Sequence, residues 1–177
     1  MSVSGVAMAI LLASATGQDF KVSSPAGLDV SYVVLVRVPI SLDGGAARPY
    51  TALVLAYGST ALPWKARLSA DSVVAKLSNG QLRKASHLAI CDGWKVSMTP
   101  ASGQTFQRVT LSTPAAMTIG GKDVSITPKF AVALSSPVEA EFSESGRALW
   151  FIFSGDDTAA IDQFVVGDVK LRRAHSK

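Results

Sequence analysis

The stretch RALWFIF, residues 147–153, decides how this sequence folds, because it ends in five consecutive apolar residues of high β-propensity. A strand with one face in water alternates apolar and polar residues, so this unbroken run predicts a strand that is covered on both faces. Each large side chain that becomes fully buried stabilises the fold by roughly 1.5–3 kcal/mol. The sequence therefore predicts that residues 149–153 form a central strand of the core.

Short apolar runs separated by turn residues extend in both directions from this strand. Asn79 with Gly80 predicts a hairpin, because these residues adopt positive φ at low steric cost, and Gly120 with Gly121 predicts a second one. About nine or ten runs at this spacing predict an all-β fold, an antiparallel β-sandwich of immunoglobulin-like or jelly-roll-like type. The runs are 30–38, 50–57, 72–77, 81–84, 94–98, 105–112, 119–126, 129–134, 147–153 and 163–171.

Three segments also carry helix signals: the apolar N-terminal stretch, residues 68–77 and residues 156–164. Ser69 has the position of an N-cap in the second segment, and Asp156 or Asp157 has that position in the third. We therefore expect one or two short helices beside the strands.

The composition is that of a folded domain. The 177 residues suit one domain, and 48% of them are apolar, which argues against disorder. Cys91 is the single cysteine, so the chain forms no intrachain disulfide.

The first 18 residues have the composition of a leader. They carry no charged side chain, and the apolar run VAMAILL precedes small residues of the kind that signal peptidase reads. The segment is too short and too polar for a stable membrane span. We expect residues 1–18 to be a signal peptide or a docked N-terminal segment, and residues 19–177 to be a single domain with a basic C-terminal tail. A cleaved signal places the protein outside the cytoplasm, in the periplasm or secreted.

Residues for nucleophilic catalysis are sparse. The histidines are His87 and His175, and no G-x-S-x-G or S-x-x-K motif occurs. His87 and Cys91 lie four residues apart, with Asp92 adjacent, but zinc sites usually use matched pairs such as C-x₂-C. We interpret the cluster as a half-buried histidine beside a core cysteine, and we predict no catalytic residue, metal or cofactor.

Acidic residues late in the chain leave one alternative open. Asp156, Asp157 and Asp162 offer the oxygen ligands that Ca²⁺ prefers, although the spacing of a calcium-binding loop is absent. Paired aspartates after a strand are ordinary turn and cap residues. An unrecognised hydrolase or metal enzyme is the corresponding functional alternative.

Charge is distributed unevenly along the chain. Residues 64–130 are predominantly basic, residues 139–168 are predominantly acidic, and the end KLRRAHSK is basic again, within a net charge of +4. Such asymmetry favours an anionic partner. Basic residues are not interleaved with aromatic ones, which disfavours nucleic acid. The basic residues predicted to bind are Lys65, Arg67, Arg83 and Lys84.

Two tryptophans allow a different function. Trp64 and Trp94 lie beside turns, where an exposed indole would stack on a sugar ring or anchor a partner. Tryptophan in small domains is more often buried, so a place in the core is the other interpretation. A carbohydrate-binding module that uses these two residues is therefore an alternative function.

The segment ALWFIFSGDDTAAIDQFVVGDVKL, residues 148–171, resembles the end of small immunoglobulin-like sandwich domains of bacterial envelope and secreted proteins. There an aromatic-rich strand is followed by a short connection and a final strand of the F-x-V-G-D-x-x-L kind. The resemblance implies the fold and carries no catalytic residue. With the leader and the charge pattern, it leads us to expect an exported, non-enzymatic binding or structural protein that engages a protein or an anionic envelope component.

Overall fold

The computed structural model describes residues 14–17, 20–23, 29–58, 64–91, 96–100, 108–112, 117–119, 122–124, 128–142, 147–155 and 161–174. Within these ranges the chain forms β-strands and turns, without a helix. All the strand pairings in this part of the chain are antiparallel. The prediction of an all-β fold with antiparallel sheets is confirmed.

The strands follow one another along the chain in this order. They are β1 (Ser14–Gly17), β2 (Phe20–Ser23), β3 (Asp29–Leu42), β4 (Arg48–Gly58), β5 (Trp64–Leu68), β6 (Val73–Leu77), β7 (Leu82–Cys91), β8 (Val96–Pro100), β9 (Arg108–Ser112), β10 (Met117–Ile119), β11 (Lys122–Val124), β12 (Pro128–Ala133), β13 (Val138–Phe142), β14 (Arg147–Ser154), β15 (Ile161–Val166) and β16 (Val169–Arg173).

These strands form one large sheet and two small ones. The large sheet has eleven strands in the order β12-β9-β3-β4-β14-β7-β6-β15-β16-β2, and β1 pairs with β3 beside this path. The small sheets are the pair β10-β11 and the three-stranded β5-β13-β8.

Strand β14 has the central position that its apolar run predicts. Each of residues 149–153 is at most 1% exposed. The strand pairs with β4 from Arg147 to Ser154, and with β7 along its other edge. The prediction of a strand covered on both faces is confirmed.

Strand β7 belongs to two parts of the large sheet. Its Ala89 pairs with Trp150 of β14 on one edge and with Ala131 of β12 on the other. Because β12 also pairs with β9, and β9 with β3, the pairings β7-β14-β4-β3-β9-β12-β7 form a closed circuit of six strands. The first residues of β7, 82–84, pair instead with β6. Strands β6, β15, β16 and β2 therefore extend from β7 as a branch of the sheet, which we call the branch.

One hydrophobic cluster joins the circuit, the branch and the three-stranded sheet. It contains Phe151 and Phe153 of β14, Phe164 of β15 and Val138 of β13. The rings of Phe153 and Phe164 are 5.5 Å apart between centroids and tilted by 55°, a favourable aromatic geometry. The branch therefore has one face on the core, and its strands are expected to alternate buried and exposed residues.

The hairpin predicted at Asn79 and Gly80 is confirmed between β6 and β7. Gly80 has φ +84° and its N–H donates to the Leu77 carbonyl over 2.8 Å. The side-chain oxygen of Asn79 accepts from the Gln81 N–H over 2.9 Å. Strands β10 and β11 pair as the second predicted hairpin, while its bend, Gly120 with Gly121, lies outside the described residues.

The helix expected at 68–77 is wrong, and its strand alternative is correct. Ser69 does cap a turn: its carbonyl accepts from the Val73 N–H over 3.0 Å, and its Oγ accepts from the Ser72 N–H over 3.3 Å. The helix does not continue because 73–77 alternate buried and more exposed residues as β6. Of the helix expected at 156–164, residues 161–164 belong to β15, and 156–160 lie outside the described residues.

The strand count and several strand boundaries also differ from the sequence prediction: the described residues form sixteen strands rather than about nine or ten, and β7 continues to Cys91 instead of ending at residue 84. Residues 163–171 are not one strand, because Gly167 (φ +58°) and Asp168 form a two-residue turn between β15 and β16. Strand β3 does not stop at Pro39 but continues to Leu42, with Pro39 opposite Pro49 of β4. A proline breaks a helix more strictly than a strand, where its missing N–H is tolerated at a suitable ladder position.

The N-terminal segment pairs with the large sheet. Residues 14–17 form β1, which lies antiparallel to 34–37 of β3. Both alternatives for residues 1–18, a cleaved signal and a docked segment, stay predictions. None of the described residues belongs to a helix with the length and hydropathy needed to cross a bilayer.

Candidate functional site

The binding residues predicted from the sequence are separated by the structure. Lys65 and Arg67 are exposed on β5, where they stand opposite Glu141 and Glu139 of β13. Lys65 Nζ lies 3.4 Å from Glu141 Oε2. The two glutamates offset the charge of this part of β5, so it is not a strongly basic surface.

Arg83 faces the core. It is half-buried and stands opposite Ala75, a fully buried residue of β6. Its Nη1 is buried and has no hydrogen-bond partner in the described part of the chain. The guanidinium lies against Gly155, where an added Cβ would be 3.6 Å from Cζ. Arg83 therefore does not contribute to an exposed basic face.

Lys84, the next residue, points to the opposite face and is exposed. It stands opposite Val74 of β6 and forms an ion pair with Asp71 in the turn before β6. The side chains of Lys84 and Asp71 are 60% and 81% exposed. An ion pair in water contributes little and exchanges readily for another partner.

Four further cations lie on the same face of the branch as Lys84. Strand β16 shows the reason: Val169 and Leu171 are buried while Lys170 and Arg172 alternate with them and are exposed. The same alternation in β6 and β2 exposes one lysine each. We call this surface the cationic face; its cations are Lys21, Lys76, Lys84, Lys170 and Arg172.

The ladder registers arrange the cationic face in two rows across the five strands β7-β6-β15-β16-β2. Neighbours in each row are direct cross-strand partners, and neither row contains an acidic or an aromatic residue. The first row is Leu82, Lys76, Gln163, Arg172 and Lys21, and the second is Lys84, Val74, Val165, Lys170 and Ser23.

Sequence reasoning missed most of this face. Lys84 was predicted, but Lys21, Lys76, Lys170 and Arg172 were not. The signal was present, because FKVS, VVAKL and VKLRR each place cations between apolar residues at a spacing of two. That all of them point to the same side depends on pairings between distant strands, which one sequence does not reveal.

Similarity to other proteins does not identify this face. No family model, curated protein or solved structure matches the chain. The evidence for function is therefore the geometry and charge of the residues themselves.

His87 lies in a different environment, on the circuit. It is half-buried and stands opposite Ile152 of β14 and Ala133 of β12. Burial lowers the pKa of His87, and the charge of Asp43 opposes this by a smaller amount. His87 Nδ1 lies 2.9 Å from Ser86 Oγ.

The contact between His87 and Ser86 does not activate the serine. Ser86 Oγ donates its hydrogen to the carbonyl of Ile152 over 3.1 Å. With that hydrogen committed, the serine accepts from a protonated Nδ1 of His87, and the histidine does not act as its base. The contact between Ser86 and His87 is therefore a structural hydrogen bond within β7, and Ser86 links β7 to Ile152 of β14.

The remaining sequence candidates lie partly outside the described residues. Trp64 begins β5 and stands opposite Phe142 of β13, and its side chain lies outside the described part of the structure. Trp94 and Asp92 lie outside the described residues altogether. Asp156 and Asp157 also lie outside them, while Asp162 is half-buried at a shift in the β6–β15 register. In the part of the chain that the structure describes, no three His, Cys, Asp or Glu residues come together as a metal site.

Proposed function

We propose that this chain is an exported, non-enzymatic binding protein of the bacterial envelope or secreted space, and that it engages an anionic partner through the cationic face. The observation that carries the proposal is the placement of five cations on one wet face of the branch, in two rows without an acidic residue. Among the described residues, Lys84 is the one of the five with an acidic partner, Asp71 in the turn before β6. On β5, by contrast, both Lys65 and Arg67 stand directly opposite glutamates in the ladder.

The charge of this face suits capture of a polyanion. A surface with one sign of charge raises the local concentration of oppositely charged partners and speeds their association. Because the cations are exposed, the interaction is screened within about 8–10 Å at physiological salt. Binding is therefore expected to weaken steeply as salt is added.

The proposal includes the finer fold class and the compartment. Antiparallel pairing and a core shared between the large and the three-stranded sheet support a β-sandwich of immunoglobulin-like or jelly-roll-like type. The apolar, uncharged N-terminal stretch supports export. The mass of the protein recovered from a bacterial periplasm tests export: loss of residues 1–18 supports a cleaved signal, and an intact N-terminus contradicts it.

A matched pair of variants tests the binding surface. Lys76→Gln with Arg172→Gln removes two charges from the cationic face, and Lys65→Gln with Arg67→Gln removes two exposed charges from β5. Binding to immobilised polyglutamate, polygalacturonate and anionic lipid vesicles is measured at about 50 mM salt, where screening is weak.

The expected result is weaker binding by the first variant and unchanged binding by the second, with at least one probe. Equal behaviour of the two variants with every probe would overturn the proposal, because binding would then follow net charge rather than this face.

A further inference from the structure

The cationic face has the outline of a stripe. Strands in a sheet lie about 4.8 Å apart, so the four steps from β7 to β2 span about 19 Å. The two rows are two residues apart along each strand, which is about 7 Å. The cations thus form a band that is nearly three times as long as it is wide and that runs across the strands.

Sheet twist prevents this band from lying flat on a partner. Neighbouring strands rotate by about 20–25°, so four steps accumulate about 80–100° between β7 and β2. With this ordinary twist, Lys84 on β7 and Lys21 on β2 are expected to face different directions. A planar membrane or a rigid flat protein contacts one end of the band at a time, whereas a flexible chain follows the twist and contacts all five cations.

The residue types on the band also restrict the partner. Stable protein interfaces are anchored by aromatic and apolar residues at their centre, and charge is depleted there. Single-stranded nucleic acid is usually bound through bases stacked on aromatic side chains. The two rows contain no aromatic residue, and Leu82, 62% exposed, lies at one end. Neither kind of partner finds its usual anchor on this surface.

Lysine predominates over arginine, with one arginine among the five cations. Arginine binds phosphate or carboxylate through a rigid two-pronged contact, whereas lysine acts as a mobile, hydrated point charge. Four lysines at intervals therefore suit a partner with repeated charges, whose spacing does not have to match the spacing of the lysines closely. Gln163, between Lys76 and Arg172 in the first row, adds an amide that donates to and accepts from hydroxyl groups.

We infer that the occupant of the cationic face is a flexible acidic polysaccharide, held across the strands by its repeated carboxylate or sulfate groups. This inference rests on the proposed function and names the class of its partner. The chain follows the twist of the branch, its charges meet Lys21, Lys76, Lys84, Lys170 and Arg172 in turn, and its hydroxyl groups meet Gln163.

The test compares four soluble probes of matched length: polygalacturonate, polyglutamate, oligo(dT) and neutral dextran. Affinities are measured by titration calorimetry at several salt concentrations for the unsubstituted protein and both double variants. We expect polygalacturonate to bind most tightly and dextran not to bind. Lys76→Gln with Arg172→Gln is expected to weaken polygalacturonate binding about tenfold at low salt and to reduce the slope of log affinity against log salt by roughly two. Lys65→Gln with Arg67→Gln is expected to change neither quantity.

The outcomes separate this inference from the proposed function. Suppose that polyglutamate or oligo(dT) binds more tightly than polygalacturonate, and that Lys76→Gln with Arg172→Gln weakens this binding. The polysaccharide assignment would then be overturned, and an anionic partner for the face would remain. Tighter binding to anionic lipid vesicles than to polygalacturonate, again weakened by Lys76→Gln with Arg172→Gln, would likewise overturn the polysaccharide assignment and leave an anionic partner for the face. If no probe distinguishes the two double variants, the face is not a binding surface and both proposals fail. Circular dichroism of each variant confirms that its strands are intact.

Discussion

Strand β14 and the branch are both β-structure, but they differ in how many of their side chains are exposed to water. Residues 149–153 of β14 are consecutive and all buried, whereas β16 alternates buried Val169 and Leu171 with exposed Lys170 and Arg172. A strand with two dry faces can change little without opening a cavity, while a strand with one wet face keeps half of its positions free to carry charge. The comparison places the positions most costly to change in β14 and the proposed binding surface in the branch.

The largest expected difference between the two regions is in the cost of removing an apolar side chain. Phe151→Ala in β14 is expected to lower the free energy of unfolding by about 3–5 kcal/mol, since it leaves a cavity in the core. Val165→Ala on the half-exposed face of β15 is the control, with an expected loss of less than about 1 kcal/mol. Urea unfolding followed by tryptophan fluorescence measures both. Similar losses would mean that β14 is not the better-packed region.

At glycines with positive φ, the two regions are expected to behave alike. Gly155 follows β14 with φ +85°, and Gly80 lies in the β6–β7 turn with φ +84°. Alanine at either position is strained by about 1–2 kcal/mol because a Cβ disfavours this backbone conformation. At Gly155 the nearest neighbour of an added Cβ is Arg83 at 3.6 Å, an ordinary contact, and at Gly80 the space is open.

Thermal unfolding of Gly155→Ala and Gly80→Ala therefore tests backbone strain separately from packing. Losses of similar size are expected. A much larger loss at Gly155 would show that the packing of Arg83 against Gly155 tolerates no addition, and would extend the contrast between the regions to their turns.

The smallest expected effect concerns the pH dependence of stability. Burial lowers the pKa of His87 below its ordinary value of 6.5, so the unfolded chain binds a proton there more readily than the folded protein does. The stability that neutral His87 contributes is present above pH 6.5 and is lost as the pH falls through the lowered pKa of the folded state.

His87→Gln is expected to remove this part of the pH dependence. The free energy of unfolding is measured for both proteins between about pH 7.5 and about pH 5, and carboxylates common to both cancel in the difference. The unsubstituted protein should lose more stability than the variant on acidification. An equal loss would show that burial and Asp43 cancel at this site, and a smaller loss would show that Asp43 outweighs burial.

How far the sequence predicts the structure depends on whether a signal is local. The run at 149–153 and the turn at Asn79 and Gly80 are local, and both are confirmed. Gly167 with Asp168 is also a local turn signal, but the apolar residues on both sides led to the interpretation of 163–171 as one strand.

The candidate site was harder to predict because it is assembled from distant segments. Lys21 and Arg172 are cross-strand partners although about 150 residues separate them along the chain. Basic residues counted along the chain led to Lys65, Arg67 and Arg83, which the structure places opposite glutamates or toward the core. Alternation within a strand indicates that a lysine is exposed, and only the pairing of strands shows which lysines are exposed together.

Because β7 pairs with both the branch and the circuit, it affects how cooperatively the protein unfolds. Residues 82–84 hold the branch through β6, and residues 85–91 hold the circuit through β14 and β12. Melting either part would strip main-chain hydrogen bonds from the strand on which the other depends. The cationic face and the apolar interior are therefore expected to unfold together, because the branch cannot separate from β7 without loosening the interior as well.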